Sequence, residues 1–536
     1  MGHFASHWIA VFLVISAYVA SMEIEVINQH ATTKAKGDVS DLKPQQIHIS
    51  LGDTARDMTI MWATQSYDIS RVEYHTGDRQ LAKQVDGETR KLDTTNEQGL
   101  QYLHHVTLTK LSPQTKYYYH VKGELDDTLS DQFSFTVPPV LEGSTHTFMV
   151  YGDLGLKSKD MQFLLQEARN EKYEAVFHVG DIGYDLHSEG GKVGDKFLHT
   201  IENVAARIPY MTVPGDHEQF QQFLHYRYRF SMPNLPWPMP ADKLWYSIDI
   251  GSIHFVMYSS EVFFSDELNV EKMLEWMKTD LDKANQRRSA VPWIIAMGHR
   301  PMYCSTEDIT EDCRRERRSL VRSSLEDMFY EAGVDLIISG HVHDYERTWP
   351  VYKKRVVQYH YKEPMAPVHI LIGTLGSAYK VDKSSNVEGH VAAFVLSEKG
   401  KESFGRLKVY NATHLYWEVR ECANNKLVDK VWIIQSYHRR FTQTYIPNPL
   451  GEMGESWVSQ TESEPSFGLE NFLGFKGSHY GDDYQTKLTV LICVFVICIF
   501  GMIARKKVLD FIRICCLKKD PCAKFKNGMN NGASNI

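Results

Sequence analysis

At 536 residues the chain is too long for one small core, so two or more domains are expected. Its hydrophobic content of 43% and charged content of 24% are those of an ordinary globular protein. The net charge of -8 argues against a nucleic-acid binder, and no long basic block precedes the far C-terminus. The first element is an apolar run from Trp8 to Ile15, followed by small residues as far as Ser21. This pattern predicts a secretory signal over 1–21, cleaved between Ala20 and Met22, although its leading segment lacks Lys and Arg.

Residues 43–139 read as all-β. Short strand-like runs at 47–51, 58–62, 71–74, 105–108, 116–121 and 132–136 are punctuated by Gly, Asp, Asn and Pro. That pattern predicts a β-sandwich with Trp62 in its core. The segment 111–117 resembles the turn before a late strand of a fibronectin type III-like module. Val137-Pro138-Pro139 reads as a stiff linker.

The pattern then changes to strand alternating with helix, which predicts a layered α/β domain over 145–400. A strand at 147–151 ends in Gly152-Asp153-Leu154-Gly155, and helical spacing follows over 160–169. Strands at 175–179 and 209–213 end in Gly180-Asp181-Ile182-Gly183-Tyr184 and Gly215-Asp216-His217-Glu218. Strands at 293–297 and 334–339 end in Gly298-His299-Arg300-Pro301 and Gly340-His341-Val342-His343. A further strand at 369–372 is followed by Gly373. The notable Asp and His residues thus all stand just past a strand's C-terminal end, where open α/β sheets bind ligands. A single Gly-Asp there is an ordinary turn. The repeated set predicts a shared metal site, since carboxylate and imidazole are common metal ligands.

With these five blocks in this order and spacing, the chain resembles the purple acid phosphatases, a branch of the dinuclear metallophosphoesterases. Tyr184, and Tyr345-Glu346-Arg347 after the His-x-His pair, point to that branch, and the preceding sandwich matches its larger plant and animal members. The resemblance covers 43–435 and implies an αββα catalytic layer arrangement. It implies Asp153, Tyr184 and His343 as ligands of Fe(III), and Asp181 as the bridging carboxylate. Asp216, His299 and His341 are implied as ligands of a divalent Zn, Fe or Mn. His217 matches the active-site histidine that orients the phosphate or protonates the leaving alkoxide. The implied activity is acid hydrolysis of phosphate monoesters, on a small molecule or peptide, by a metal-activated hydroxide. A phosphodiesterase or pyrophosphatase, and a surface binding protein with a weakened metal site, are the rival readings.

Two departures matter. The family pattern in the third block has Asn where this chain has Asp216, which lowers the formal charge of the loaded site by one unit. Either phosphate affinity falls or Asp merely replaces Asn as an oxygen ligand. The loop after His299 lacks the extra histidines of plant members and carries Arg314, Arg315, Arg317 and Arg318 instead, so substrate selectivity does not carry over.

Strand patterns at 404–410, 415–419 and 427–434 form a closing β-segment over 401–437, expected to pack on the catalytic domain. The polar stretch 438–485 reads as a mobile stalk. An uncharged apolar run over 488–504, followed by Arg505-Lys506-Lys507, predicts one transmembrane helix over 487–504 and a cytoplasmic tail at 505–536. The chain is therefore expected to be a single-pass type I membrane protein with its catalytic body outside or in a lumen. Cys304 and Cys313 could close a disulfide there, with Cys422 left over. Asn411-Ala412-Thr413 could carry a glycan. Cys515 and Cys516 are either palmitoylated or free thiols.

Overall fold

The computed structural model describes residues 43–92, 101–123, 129–140, 143–170, 172–265, 269–305, 319–376, 391–396 and 401–441. The expected signal at 1–21, the expected span at 487–504, the tail, Cys313 and the arginines of 314–318 lie outside these residues. No helix among the described residues is long and apolar enough to cross a membrane.

The N-terminal part is two facing four-stranded sheets. Its strands are β1 (Gln45–Leu51), β2 (Met58–Thr64), β3 (Arg71–His75), β4 (Lys83–Asp86), β5 (Glu88–Leu92), β6 (Gln101–Leu108), β7 (Lys116–Lys122) and β8 (Phe133–Thr136). They pair as β1-β2-β6-β5 and β4-β3-β7-β8, with every pair antiparallel. Alternation in β7, where Tyr117, Tyr119 and Val121 point inward, produces the buried face. Trp62 is buried and stacks on His104 with ring centroids 4.8 Å apart. Strands β4 and β5 are mostly exposed, which is why apolar alternation did not reveal them.

The α/β part begins with β9 (His146–Tyr151), α1 (Met161–Asn170), β10 (Ala175–Val179), α2 (Lys192–Ala205), β11 (Tyr210–Val213) and α3 (Phe220–Arg229). It continues with β12 (Tyr246–Ile250), β13 (Ile253–Met257), α4 (Val270–Gln286), β14 (Trp293–Met297), α5 (Leu320–Ala332), β15 (Leu336–Ser339) and β16 (Tyr345–Thr348). A small hairpin, β17 (Val351–Tyr352) and β18 (Arg355–Val356), precedes β19 (Val368–Ile372) and β20 (Ala392–Leu396). The last strands are β21 (Ser403–Val409), β22 (His414–Glu421) and β23 (Leu427–Ile434).

These strands form two mixed sheets, the two β layers of the expected αββα arrangement. One runs β11-β10-β9-β21-β22-β23 and the other β12-β13-β14-β15-β19-β16-β20. They meet through aromatic contacts: Phe255 of β13 lies 5.1 Å from Phe148 of β9 and 4.6 Å from Phe177 of β10, centroid to centroid. Strands β10, β13, β14 and β19 are buried along their whole length, as parallel strands covered on both faces must be.

The closing segment is part of a sheet. β21 pairs antiparallel with β9, the strand that leads to Asp153. The ordered body also runs past 437, where the stalk was expected to start. His438 Nδ1 lies 3.3 Å from Asp335 Oδ1, and buried Phe441 packs on Tyr330, centroids 5.4 Å apart.

The sandwich is fixed to the α/β part. Tyr119 Oη donates to Ala206 O at 2.7 Å, Ser50 Oγ to Ser231 O at 2.6 Å, and the Ile47 amide to Glu202 Oε2 at 3.1 Å. One apolar core runs through both parts, and Val137 of the expected linker is buried within it.

Away from the site, buried His254 of β13 ties the β12–β13 hairpin to α4. Its Nδ1 is 2.6 Å from Asp249 Oδ1 and its Nε2 2.9 Å from Asp280 Oδ2. Burial would lower its pKa, but the hydrogen bonds to both carboxylates hold it above the ordinary value. A raised folded pKa means the stabilisation is complete below about pH 6.5 and is lost as pH rises through the folded value. His254→Gln is therefore expected to lower the thermal midpoint more at about pH 5.5 than at about pH 9. Equal losses at both pH values would refute the linkage.

Candidate metal centre

The two sheets deliver different chemistry to one place. Strands β9, β10 and β11 lead into Asp153, Asp181 and Asp216, so the carboxylates come from one sheet. Strands β14 and β15 lead into His299, His341 and His343, so the imidazoles come from the other. The turns that aim them are tight. Asp153, Asp181, Tyr184 and His341 have φ of 65°, 55°, 57° and 70°, in the left-handed region that side chains other than Gly enter at a cost. Glycine is required where the groups crowd: a Cβ on Gly376 would overlap both His343 Nε2 and Tyr184 Oη.

The side-chain tips fall into two clusters that share Asp181. Asp181, Asp216, His299 and His341 form one; Asp153, Asp181 and His343 form the other; within each, the ligand atoms lie within 4.8 Å of one another. Tyr184 Oη lies 2.6 Å from His343 Nε2, which adds a phenol to the second cluster. Asp153 and Asp181 are 0% and 2% exposed.

This donor set fits a pair of cations. His299 Nδ1 is 2.9 Å from the Val179 carbonyl and donates to it, which leaves the Nε2 lone pair facing inward. That lone pair looks at Asp216 Oδ1 at 3.0 Å and Asp181 Oδ1 at 3.2 Å, an arrangement that needs positive charge between the atoms. Burial alone would lower the His299 pKa, but Asp181, Asp216 and Asp153 override it and hold it well above its ordinary value. Burial likewise pushes the Asp153 carboxyl well up, a cost that a bound cation would remove.

His217 stands at the rim. Its Nδ1 is 2.9 Å from Asp185 Oδ1 and its Nε2 3.9 Å from Asp181 Oδ2. Burial would lower its pKa, but the Asp181 charge and the Asp185 hydrogen bond raise it. With Asp185 fixing Nδ1 as the donor, Nε2 is the nitrogen turned to Asp181 and the two clusters.

Several supporting residues lay in the blocks without a role assigned from sequence. Buried Glu218 accepts from the amides of Gly215, Asp181 and Ile182 at 2.8, 3.0 and 2.9 Å, locking the second block to the third. The Tyr345-Glu346-Arg347 block is structural. Arg347 pairs with Asp429 of β23 at 2.7 Å, Tyr345 Oη donates to the same carboxylate at 2.7 Å, and Glu346 accepts the Ser305 amide at 2.8 Å. Glu261, on a short turn after β13, accepts from Arg300 Nε at 3.0 Å and gave no sequence cue. Away from the cluster, Cys304 is disulfide-bonded, Cys422 is free and buried, and the expected partner Cys313 lies outside the described residues. Asn411 is exposed, with its Oδ1 accepting from the Thr413 amide at 2.9 Å.

Comparison with known proteins agrees with this geometry. Residues 44–137 match the purple acid phosphatase N-terminal domain, 146–345 the calcineurin-like phosphoesterase domain, and 366–430 the iron/zinc purple acid phosphatase-like protein C domain. Acid phosphatase type 7 of Homo sapiens is 36% identical over 421 residues, covering 73% of this chain and 91% of that protein. The chain belongs to the purple acid phosphatase family. Purple acid phosphatase 21 of Arabidopsis thaliana is 30% identical, covering 70% of this chain and 80% of that protein. The solved structure of a purple acid phosphatase from yellow lupin (Lupinus luteus) seeds shares the fold. Its TM-score is 0.62 at 21% identity, covering 74% of this chain and 75% of that one.

The Asp185–His217 contact yields a test. Asp185→Asn removes the group that fixes the His217 tautomer and is expected to lower kcat about 10–100-fold with metal content unchanged. Full activity in that variant would remove Asp185 from the catalytic apparatus.

Proposed function

We propose that this chain is an acid phosphatase that hydrolyses phosphate monoesters, in which Asp153, Tyr184 and His343 would hold Fe(III) and Asp181 would serve both metals. Asp216, His299 and His341 would hold the second, divalent ion, Zn, Fe or Mn. The reading is carried by two donor clusters sharing one buried carboxylate. When bound, such a pair of cations neutralises phosphate oxygens and makes a nucleophile from water at mild pH.

The chain's own residues do the rest. Asp181, clamped at its amide by Glu218, sets the spacing of the two subsites. His299, fixed through Val179 O, keeps Nε2 inward. His217, held at Nδ1 by Asp185, presents Nε2 as the hydrogen-bond donor to a phosphate oxygen and as the proton source for the departing alkoxide. Burial of the carboxylates keeps the local dielectric low, so each of these contacts acts strongly.

Metal analysis of the purified catalytic body is expected to give two ions per chain, with a visible band from the Tyr184 phenolate on Fe(III). p-Nitrophenyl phosphate is expected to be cleaved at acid pH in preference to a diester. Metal-free protein would favour the binding-module reading, and a diester preference the phosphodiesterase. Asp216→Asn restores one unit of positive charge and is expected to tighten phosphate inhibition about 3–10-fold. Unchanged or weaker inhibition would sink that charge argument.

We infer that the chain enters the secretory pathway and is held in a membrane. A leader at 1–21, a span at 487–504 and a tail at 505–536 make a type I membrane enzyme with its catalytic body lumenal or extracellular. The disulfide at Cys304 and the exposed Asn411 sequon support an oxidising, glycosylating compartment. In a eukaryotic secretory host, glycosidase digestion is expected to shift the mass of the parent protein and not that of Asn411→Gln. An unshifted parent would count against that placement.

A further inference from the structure

The stretches that bear the candidate ligands are 152–155, 180–187, 214–220, 298–305 and 340–347. Their apolar side chains are buried with one exception: Phe220 is 47% exposed. It stands three positions after His217, at the start of α3. A single exposed aromatic residue is ordinary on a protein surface. What sets this one apart is how it is held and what it stands beside.

The ring is held on two sides. Before it, Gln219 Nε2 donates to Oε2 of the fully buried Glu261 at 2.7 Å. After it, Gln221, Gln222 and Phe223 take left-handed φ values of 50°, 57° and 60°, and Phe223 is buried while Phe220 stays out. His187 lies flat on the Phe220 ring, with centroids 4.0 Å apart and planes 12° apart. His187 comes two positions after Asp185, the carboxylate that holds His217 Nδ1 at 2.9 Å. Burial lowers the His187 pKa; the Asp185 charge raises it and the His217 charge lowers it further. The stack therefore lies within electrostatic reach of His217, and it joins the two turns that carry that histidine and its partner.

This is the side of the site from which the alcohol departs. When the P–O bond to the leaving group breaks, His217 Nε2–H gives its proton to that oxygen, so the organic part of the ester leaves past His217. We infer that Phe220 binds the leaving group of the substrate ring against ring, and so selects phosphate monoesters of aromatic alcohols, a phenol or a tyrosine side chain, over aliphatic ones. His187 is its positioning residue, backing one face of the ring. Contacts to a part of the substrate remote from phosphorus raise kcat/KM when they persist in the transition state. The inference rests on the phosphatase reading above and goes beyond it in naming the leaving-group subsite and the substrate class.

Steady-state kinetics with phenyl phosphate and propyl phosphate on the metal-loaded protein test it. Each variant is compared with the parent on the same ester, so the intrinsic reactivities of the two esters cancel. Phe220→Ala is expected to lower kcat/KM for phenyl phosphate about 3–10-fold and for propyl phosphate less than about 2-fold, with two metals per chain retained. Phe220→Tyr keeps the ring and is expected to restore the phenyl value to within about 2-fold of the parent. His187→Ala is expected to shift the ratio of the two esters in the same direction by about 2–3-fold. Phe220→Leu keeps an apolar side chain without the ring, and its ratio decides the matter if Phe220→Ala does not fold. Equal losses on both esters overturn the inference, because the stack would then only hold two turns together. An unchanged ratio overturns it as well. A parent protein that cleaves neither ester overturns the phosphatase reading itself and this inference with it.

Discussion

The constraint that organises this molecule is the convergence of buried negative charge on Asp181. Its carboxylate is shared by two donor clusters and faces His299 across 3.2 Å. Charge of this kind is costly to bury unless cations or hydrogen-bond donors meet it, so the surrounding structure is arranged to supply both. Backbone amides meet it first: His217 N donates to Asp181 Oδ1 at 3.3 Å, and His341 N donates to both oxygens of Asp153 at 3.0 Å. The strained φ values at Asp153, Asp181, Tyr184 and His341 persist because buried strands on either side over-determine those turns.

Around the candidate ligands stands a ring of residues that orient them. Val179 O sets the tautomer of His299, Asp185 that of His217, and Glu218 holds two loops in register through three amides. Glu261 does the same for Arg300. Networks of this type rigidify a site only when every member is satisfied, and these residues each have partners with good geometry. Ligand loops from separate strands are thereby kept in one arrangement, as a site built for positioning requires.

The architecture explains why so long a chain serves one small centre. The last three strands complete the sheet that carries the carboxylates, with β21 alongside β9. Arg347 and Tyr345, just past the His-x-His pair, reach across to Asp429 of β23 and so bind the imidazole sheet to the carboxylate sheet. The sandwich buttresses α2 and the segment after α3.

The amino-acid order by itself marked out the Asp, His and Tyr side chains that the fold brings together. Gly-Asp and Gly-His after apolar runs are local signals, because a turn at a strand end needs Gly and a metal needs Asp, His or Tyr, whatever surrounds them. The same locality exposed the strands with continuous apolar runs or clean alternation and hid the polar edge strands β4 and β5. Only the tertiary structure decided that carboxylates and imidazoles arrive from opposite sheets, and that the closing segment is half of one of them. It alone placed Glu261 behind Arg300, Asp185 behind His217, and the Tyr345 and Arg347 side chains on Asp429. Those relations join residues up to 84 positions apart in the chain. Their partners are chosen by packing across sheets, and no local pattern of residues encodes a distance in space.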